Sequence, residues 1–322
     1  MFERPDQIDH PLYVLTMVSN TYRWRTRWKL YEDFARMCHN AGGILYTCEV
    51  AYGDRAFAIT QPDNPHHLQL RTTEDLWHKE NALNLLLQRL PLDWQSVAWI
   101  DSDVKFLRED IFNETLHLLE RYHVVQMWSE AYDLNSDHEI IQKHHSFVYS
   151  WTHNEPMPTG GYYYDTTGHK KVFIGHPGYA WAARKEFFNL VGPLPDWGIL
   201  GSGDAHFAQS LIGNVEKSIH PDMHGTYRDM AFLYQRKALR YINKNIGYVP
   251  GALVHAWHGP KVNRRYRDRW KILVNNQFNP FTDLKRDWQG LWQLELDGAE
   301  RMIRMRDEIR AYFAQRKEDT PS

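Results

Sequence analysis

Cysteine is nearly absent from this chain of 322 residues, with Cys38 and Cys48 the only two. Two thiols, one in an expected helix and one in the strand after it, make no disulfide framework and point to a reducing compartment. Long apolar runs are missing too. The start Met1-Phe2-Glu3-Arg4-Pro5-Asp6 carries no leader-like apolar stretch, so neither a secretory signal nor a membrane span is expected. Charge of one sign is not in excess either: Lys plus Arg is 38 and Asp plus Glu is 40, a net charge of −2. That argues against a globally basic nucleic-acid binder, although not against a local patch. No Gly-x-Gly-x-x-Gly or Walker loop follows the first strand, and Gly201-Ser202-Gly203 lacks the spacing of a nucleophile elbow. Nicotinamide enzymes, mononucleotide kinases and elbow-type hydrolases are therefore poorly supported. A soluble, cytoplasmic protein is the expectation.

Aromatic side chains, by contrast, are plentiful, with 13 Trp and 18 Tyr, most of them expected in the core. The most informative stretch is Ala98-Trp99-Ile100-Asp101-Ser102-Asp103, where an apolar run stops at two carboxylates. Val97 to Ile100 reads as a buried strand, which places both acids where the strand runs out. In open α/β sheets, ligands bind outside the carboxyl ends of strands. Two acids there, with no obvious internal cation, suit a divalent metal carrying phosphate oxygens. A solvated Asp-x-Asp turn is the plainer alternative.

The surrounding order is that of a βαβ start. Leu12–Val18 reads as a strand, Thr26–Asn40 as a helix stopped by Gly42-Gly43, and Ile44–Val50 as a second strand. Residues 60–73 read as a loop and Leu76–Leu90 as a helix, with Asn81 and Asn84 beside its apolar stripe. Glu109–Tyr122 is helical and Val124–Met127 a strand. Residues 130–170, with His138, His144, His145 and His153 among tyrosines, prolines and glycines, read as an irregular insert beside the site. Order returns at Val172–Gly175, and a helix over Arg184–Leu190 and another opening at Gly201-Ser202-Gly203-Asp204 follow. Tyr227–Tyr241 is helical, and Ile246–Val254 reads as a last strand ending in His255-Ala256-Trp257-His258. Imidazoles at that spacing can chelate a first-row divalent metal if the backbone turns there. Lys261, Arg264, Arg265, Arg267, Arg269 and Lys271 then face one acid, Asp268. Such a run is either a solvated helix face or a cradle for a diphosphate. Gly298–Lys317 reads as a charged amphipathic helix packed on the outside.

These parts, in this order, resemble a GT-A glycosyltransferase, and within that fold the β4-galactosyltransferase and polypeptide N-acetylgalactosaminyltransferase group. Ser19-Asn20-Thr21-Tyr22-Arg23 is similar to the Asn/Arg-rich segment after the first strand, and Lys79-Glu80-Asn81-Ala82-Leu83-Asn84 to the signature before the acids. Pro177-Gly178-Tyr179-Ala180, followed by Lys185-Glu186-Phe187-Phe188, resembles the family's Gly-Gly and Glu-x-Phe segment. Trp197-Gly198-Ile199-Leu200-Gly201-Ser202-Gly203-Asp204 resembles its Trp-Gly-x-Gly-Glu-Asp acceptor motif, and His255-Ala256-Trp257-His258 its late metal motif. The resemblance spans roughly residues 11–270. One departure stands out: Gly203-Asp204 replaces Glu-Asp, which leaves one acid where the family has two.

The resemblance implies an α/β fold of GT-A (Rossmann-like) type, a mixed sheet flanked by helices. Residues 1–270 would form the catalytic domain and 271–322 a mostly helical extension. It implies a transferase moving a sugar from a nucleotide-diphosphate donor, a UDP-sugar by expectation, to an acceptor hydroxyl with Mn²⁺ or Mg²⁺. Asp101, Asp103, His255 and His258 would be the metal ligands, with Asp101 also near the ribose. Asn20, Arg23, Lys79, Asn84, Lys261, Arg264 and Arg265 would hold the donor. Asp204 would be the general base of an inverting transfer, with Trp197 and Gly203 at the acceptor. The acceptor could be a carbohydrate, a peptide or a DNA base. Alternatives are a bacteriophage-type transferase acting on a modified DNA base, a metal-dependent phosphohydrolase, and a non-catalytic binding module.

Overall fold

Strand β1 (Leu12–Ser19) lies inside a seven-stranded sheet, flanked by strands on both sides, and its side chains are apolar on both faces. Val14 joins one hydrophobic cluster and Leu15 the other. The computed structural model describes residues 10–155, 175–266, 268–296 and 298–321. Helix α1 (Arg25–Asn40) carries the chain from β1 to β2 (Ile44–Tyr52), burying Tyr31, Phe34 and Cys38. It ends as glycine-terminated helices do: Gly42 has φ +78°, and the Gly43 amide reaches back to the Cys38 carbonyl at 3.0 Å. Residues 60–73 are not all loop. His67–Thr72 forms β3 on the sheet edge, with Leu68 and Leu70 buried in a period-two pattern too short to stand out in the sequence.

Helix α2 (Lys79–Leu87) is shorter than the expected 76–90, since the Trp77 amide is taken by the Ile199 carbonyl at 2.8 Å. Strand β4 (Ser96–Ile100) is fully buried beside β1, and beyond the Asp101–Asp103 turn the chain enters a second sheet as β5 (Val104–Phe106). Helix α3 (Ile111–Arg121) and β6 (Val124–Gln126) return it to the first sheet. The described part of the 130–170 segment is ordered: β7 (Glu130–Leu134), β8 (Ile140–Ser146) and α4 (Phe147–Thr152) build the second sheet and its edge. Pro156, Pro158, Gly160, Gly161 and most of the stretch 172–175, where order was expected to return, lie outside the described residues.

Strand β9 (Gly175–His176) closes the second sheet, while β10 (Ala180–Arg184) is the one antiparallel member of the first, between β4 and β6. Helices α5 (Lys185–Leu190), α6 (Gly203–Ile212) and α7 (Gly225–Ile242) follow. The expected strand 246–254 is two strands in different sheets: β11 (Ile246–Tyr248) in the first and β12 (Ala252–His255) in the second. Pro250, which has no amide to donate, sits at the crossing. Thus a mixed α/β sheet is flanked by helices on both faces. Phe34, Phe112 and Leu116 cover Val14, Ala98 and Ile100; Leu83, Leu86 and Phe207 cover Leu15, Val97 and Trp99.

The chain after residue 270 is no outer appendage. Helix α8 (Trp270–Asn275), the hairpin β13 (Leu284–Arg286) and β14 (Trp292–Leu294), and α9 (Glu300–Ala314) contribute Leu273, Leu291, Met305 and Tyr312 to the same core as Leu15 and Trp99. Among the described residues, no helix is long and apolar enough to cross a membrane. Both cysteines are buried and unpaired, and burial pushes their thiols upward.

Candidate functional site

A cleft of about 290 Å³ opens where β1, β4 and β12 end, roofed by the chain's last turns at Phe313, Arg316 and Glu318. Its floor follows from strand register. β5 pairs antiparallel with β12, His255 opposite Val104, so the residue before Val104 must lie beside the residue after His255. The Ala256 amide accordingly donates to the Asp103 carbonyl at 2.8 Å. Oδ2 of Asp103 lies 3.7 Å from Nε2 of His255 and 3.5 Å from Nδ1 of His258. The three residues offer ligand atoms all within 4.8 Å of one another.

Two observations fit this trio to a divalent cation. Oδ1 of Asp103 is buried with no hydrogen-bond partner, an expensive state for a carboxylate oxygen unless it serves as a ligand. Behind His255 stands Asp133, whose Oδ1 takes the Nδ1 proton at 2.8 Å and whose Oδ2 lies 2.6 Å from Nε2 of His144. Tyr179 donates its hydroxyl to the same Oδ1 at 2.8 Å. A carboxylate gripping the far nitrogen fixes ring orientation and tautomer, as behind most metal-bound histidines. One carboxylate and two imidazoles suit Mn²⁺ and other first-row ions. Electrostatics favour the charged acid: burial would raise the Asp103 carboxyl, but His255, Arg264 and Lys79 outweigh it and hold it at about 2. Burial likewise works against the His255 cation, yet Asp103 and Asp133 raise it to about 9. A metal entering here must therefore displace a proton.

The other acid of the pair points elsewhere. Asp101 forms an ion pair with Lys79, and its amide donates to the Tyr179 carbonyl at 2.8 Å. Burial raises the Asp101 carboxyl against the pull of Lys79, while Asp101, Glu80 and Asp204 keep the Lys79 ammonium charged. Arginines line the remaining wall. Arg264 donates to the Tyr266 hydroxyl at 3.0 Å and Arg269 to Ser202 Oγ at 2.8 Å. Arg269 lies against Gly201, where a Cβ would come within 3.1 Å of Nη1, so this glycine, at φ +97°, makes room for the guanidinium. Arg27 and Arg316 clasp Glu318 at 2.6 and 3.1 Å. Asp204, in the first turn of α6, also lines the cleft, on the side of Lys79 and Asp101.

The structure thus brings Lys79, Asp101, Asp103, Asp204, His255, His258 and Arg264 to one cleft. Other expected residues stay outside its lining. Asn20 clasps the Trp24 backbone at 2.8 Å in both directions, and Arg23 lies over the Trp28 ring. Asn84 is buried, holding the Leu194 amide and carbonyl at 2.8 and 2.9 Å. Arg265 is exposed beyond the rim. Trp197 packs in the core against Tyr234 rather than facing the cleft. Gly203 reaches only a small side chamber behind it. The side chain of Lys261, and Arg267 altogether, lie outside the described residues. His144 and His145 do not chelate together: His144 serves Asp133, and His145 pairs with Glu155 at 2.8 Å.

Sequence reasoning missed Asp133, Glu80, Arg27, Arg316 and Glu318. Asp133 left one readable trace, an acid at an inward position of the period-two strand Glu130–Leu134. The arginines and Glu318 left none, because tertiary contacts alone bring them together.

No protein-family model matches the chain, and no curated protein matches it. Solved structures show distant likeness. A Drosophila β-1,4-galactosyltransferase 7, crystallised with manganese, UDP-Gal and xylobiose, is 13% identical with a TM-score of 0.32. That match covers 64% of this chain and 62% of the other, less than two thirds of that enzyme's length. A nucleotide-diphospho-sugar transferase of Desulfovibrio desulfuricans, itself described as putative, is 13% identical over 94% of this chain and 98% of its own, with a TM-score of 0.33. A 4-diphosphocytidyl-2C-methyl-D-erythritol synthase of Anaerococcus prevotii is 10% identical over 75% and 89%, with a TM-score of 0.34. Likeness at this level says nothing about activity, which must be argued from the site.

Proposed function

We propose that this protein is a metal-dependent glycosyltransferase of GT-A type, moving a sugar from a nucleotide-diphosphate donor, a UDP-sugar first among candidates, to an acceptor hydroxyl. The observation that carries this reading is the meeting of Asp103, His255 and His258 in a cleft also lined by Lys79, Asp204, Arg264 and Arg316. A bound Mn²⁺ or Mg²⁺ would supply positive charge against the leaving diphosphate. The chain's own residues do the rest. Arg264 and its neighbours offer fixed donors for diphosphate oxygens, and Lys79, held by Asp101, keeps a second charge beside them. Asp204 accepts the proton of the attacking hydroxyl, and α6's dipole favours a negative group at that end. That role makes transfer inverting. Two buried, unpaired thiols suit a reducing compartment.

Calorimetry with UDP, with and without Mn²⁺, tests the reading. Binding should require the metal and disappear in Asp103→Ala and in His258→Ala. A wild-type protein with no metal-dependent nucleotide binding would sink the proposal. Cleavage of phosphodiesters without any sugar donor would mark a phosphohydrolase instead.

A further inference from the structure

Gly203 opens α6 at a place where no side chain fits. A Cβ there would lie 2.5 Å from the carboxyl carbon of Glu80 and 2.7 Å from its Oε1. The Glu80 carboxyl, carried in from the first turn of α2, fills the volume that a side chain at position 203 would need. It is not free to swing away: Glu80 is 6% exposed, and the Trp77 indole donates to its Oε2 at 3.1 Å. Where the sequence alone showed a single acid, Asp204, the structure shows two carboxyls from different helices at one wall.

Both acids line the main cleft and also a side chamber of about 20 Å³ behind it. Lys79 and Gly178 border the chamber, and Trp99, Trp181 and Phe207 close it. This is room for about one hydroxyl or water oxygen, against an aromatic wall. Neighbouring carboxyls in a site shielded from water do not both ionise readily; one keeps its proton and becomes a donor. Burial and the nearby Asp204 push Glu80 up to about 8 despite Lys79.

We propose that Glu80 and Asp204 form the acceptor-recognition pair, and that the acceptor is a carbohydrate presenting two adjacent hydroxyls. One hydroxyl enters the side chamber and hydrogen-bonds to protonated Glu80; its neighbour faces Asp204 and reacts. In the transfer, the reacting oxygen bonds to the anomeric carbon, and the bond from that carbon to the diphosphate breaks with its electron pair leaving on UDP. The hydroxyl proton passes to Asp204, while Glu80 keeps its own. Glu80 is therefore a specificity-determining residue. A lone serine hydroxyl or a base amine would leave its carboxyl unanswered, a costly loss in a buried site. The inference rests on the donor reading given above.

The test measures UDP release from UDP-sugars, with water alone and with added monosaccharides, disaccharides and a serine/threonine peptide, for wild type, Glu80→Ala, Glu80→Gln and Gly203→Ala. Thermal melting checks that each variant folds, and Mn²⁺-UDP calorimetry is run alongside. Glu80→Ala should raise the KM for the sugar acceptor by about tenfold or more. Gly203→Ala, which displaces the Glu80 carboxyl without removing it, should do the same. Glu80→Gln, still a donor of the same shape, should restore near-wild-type KM, and every variant should keep Mn²⁺-UDP affinity. Absent metal-dependent UDP binding in the wild type defeats the donor reading itself. With that binding intact, three results overturn the inference: an unaltered acceptor KM in Glu80→Ala, a peptide preferred over every sugar, or no turnover with any acceptor or water.

Discussion

Asp133 and His255 are joined by a 2.8 Å hydrogen bond that turns the other ring nitrogen of His255 toward Asp103. The candidate metal centre is thereby split three ways in the sequence: an acid after β4, an imidazole pair at the end of β12, and a supporting acid in β7. Asp133→Asn leaves the cleft's shape intact but weakens the grip on Nδ1. Mn²⁺ affinity in the presence of UDP should fall about 10–100-fold. Calorimetric titration reads it, and an unchanged affinity would uncouple Asp133 from the metal.

Asn84 provides the opposite kind of test. Its amide bridges both backbone groups of Leu194, and Asn84 itself stays outside the cleft lining. Asn84→Ala would strand a buried amide and a buried carbonyl, each worth about 1–3 kcal/mol. Urea unfolding should show that loss, while Mn²⁺-UDP affinity stays at the wild-type value. A drop in nucleotide affinity without a drop in stability would return Asn84 to the donor site.

How much of this was readable beforehand depends on whether the signal was local. The apolar runs Leu12–Val18 and Val97–Ile100 announced two strands of the central sheet, and the acids at the end of the second run announced the cleft. The proximity of Asp103 and His255 could be suspected only by analogy, since it depends on a three-residue pairing of β5 with β12. Trp197 was placed at the acceptor by resemblance alone, since an aromatic ring gives no hint of whether it faces core or ligand. Glu80 passed unnoticed because its importance lies in what Gly203 lacks. The charged amphipathic helix read over Gly298–Lys317 is present as Glu300–Ala314, with Met302, Met305, Ile309, Tyr312 and Phe313 as its buried stripe; what charge pattern alone did not show is that this stripe joins the main core.

That tail also carries a charge the core needs. Glu318 is 1% exposed and accepts from Arg27 at 2.6 and 2.7 Å while pairing with Arg316 at 3.1 Å. Glu318→Ala would leave two guanidiniums beside each other without their counter-ion. Arg27 retains some solvent contact, so the expected cost is about 3 kcal/mol. Differential scanning calorimetry should show a clearly lowered melting temperature; an unshifted one would mean the last turns contribute nothing to the roof.

Glu80 makes stability itself depend on pH, and the sign can be worked out. Burial raises its carboxyl from the ordinary 4.5 to about 8, with Asp204 adding to the rise and Lys79 opposing it. Below about 4.5, folded and unfolded chains both hold the proton; above about 8, neither does. Between those limits the folded chain keeps a proton that the unfolded chain releases. The folded state then binds more protons, so stability falls as pH rises, by at most about 1.4 kcal/mol per pH unit. Glu80→Gln has no proton to lose and should remove this slope. Unfolding free energies of wild type and Glu80→Gln, compared between about pH 5 and 9, should therefore diverge in favour of the glutamine variant as the solution becomes more alkaline. A constant difference across that window would mean that Glu80 is ionised in the folded protein and cannot donate to a substrate hydroxyl.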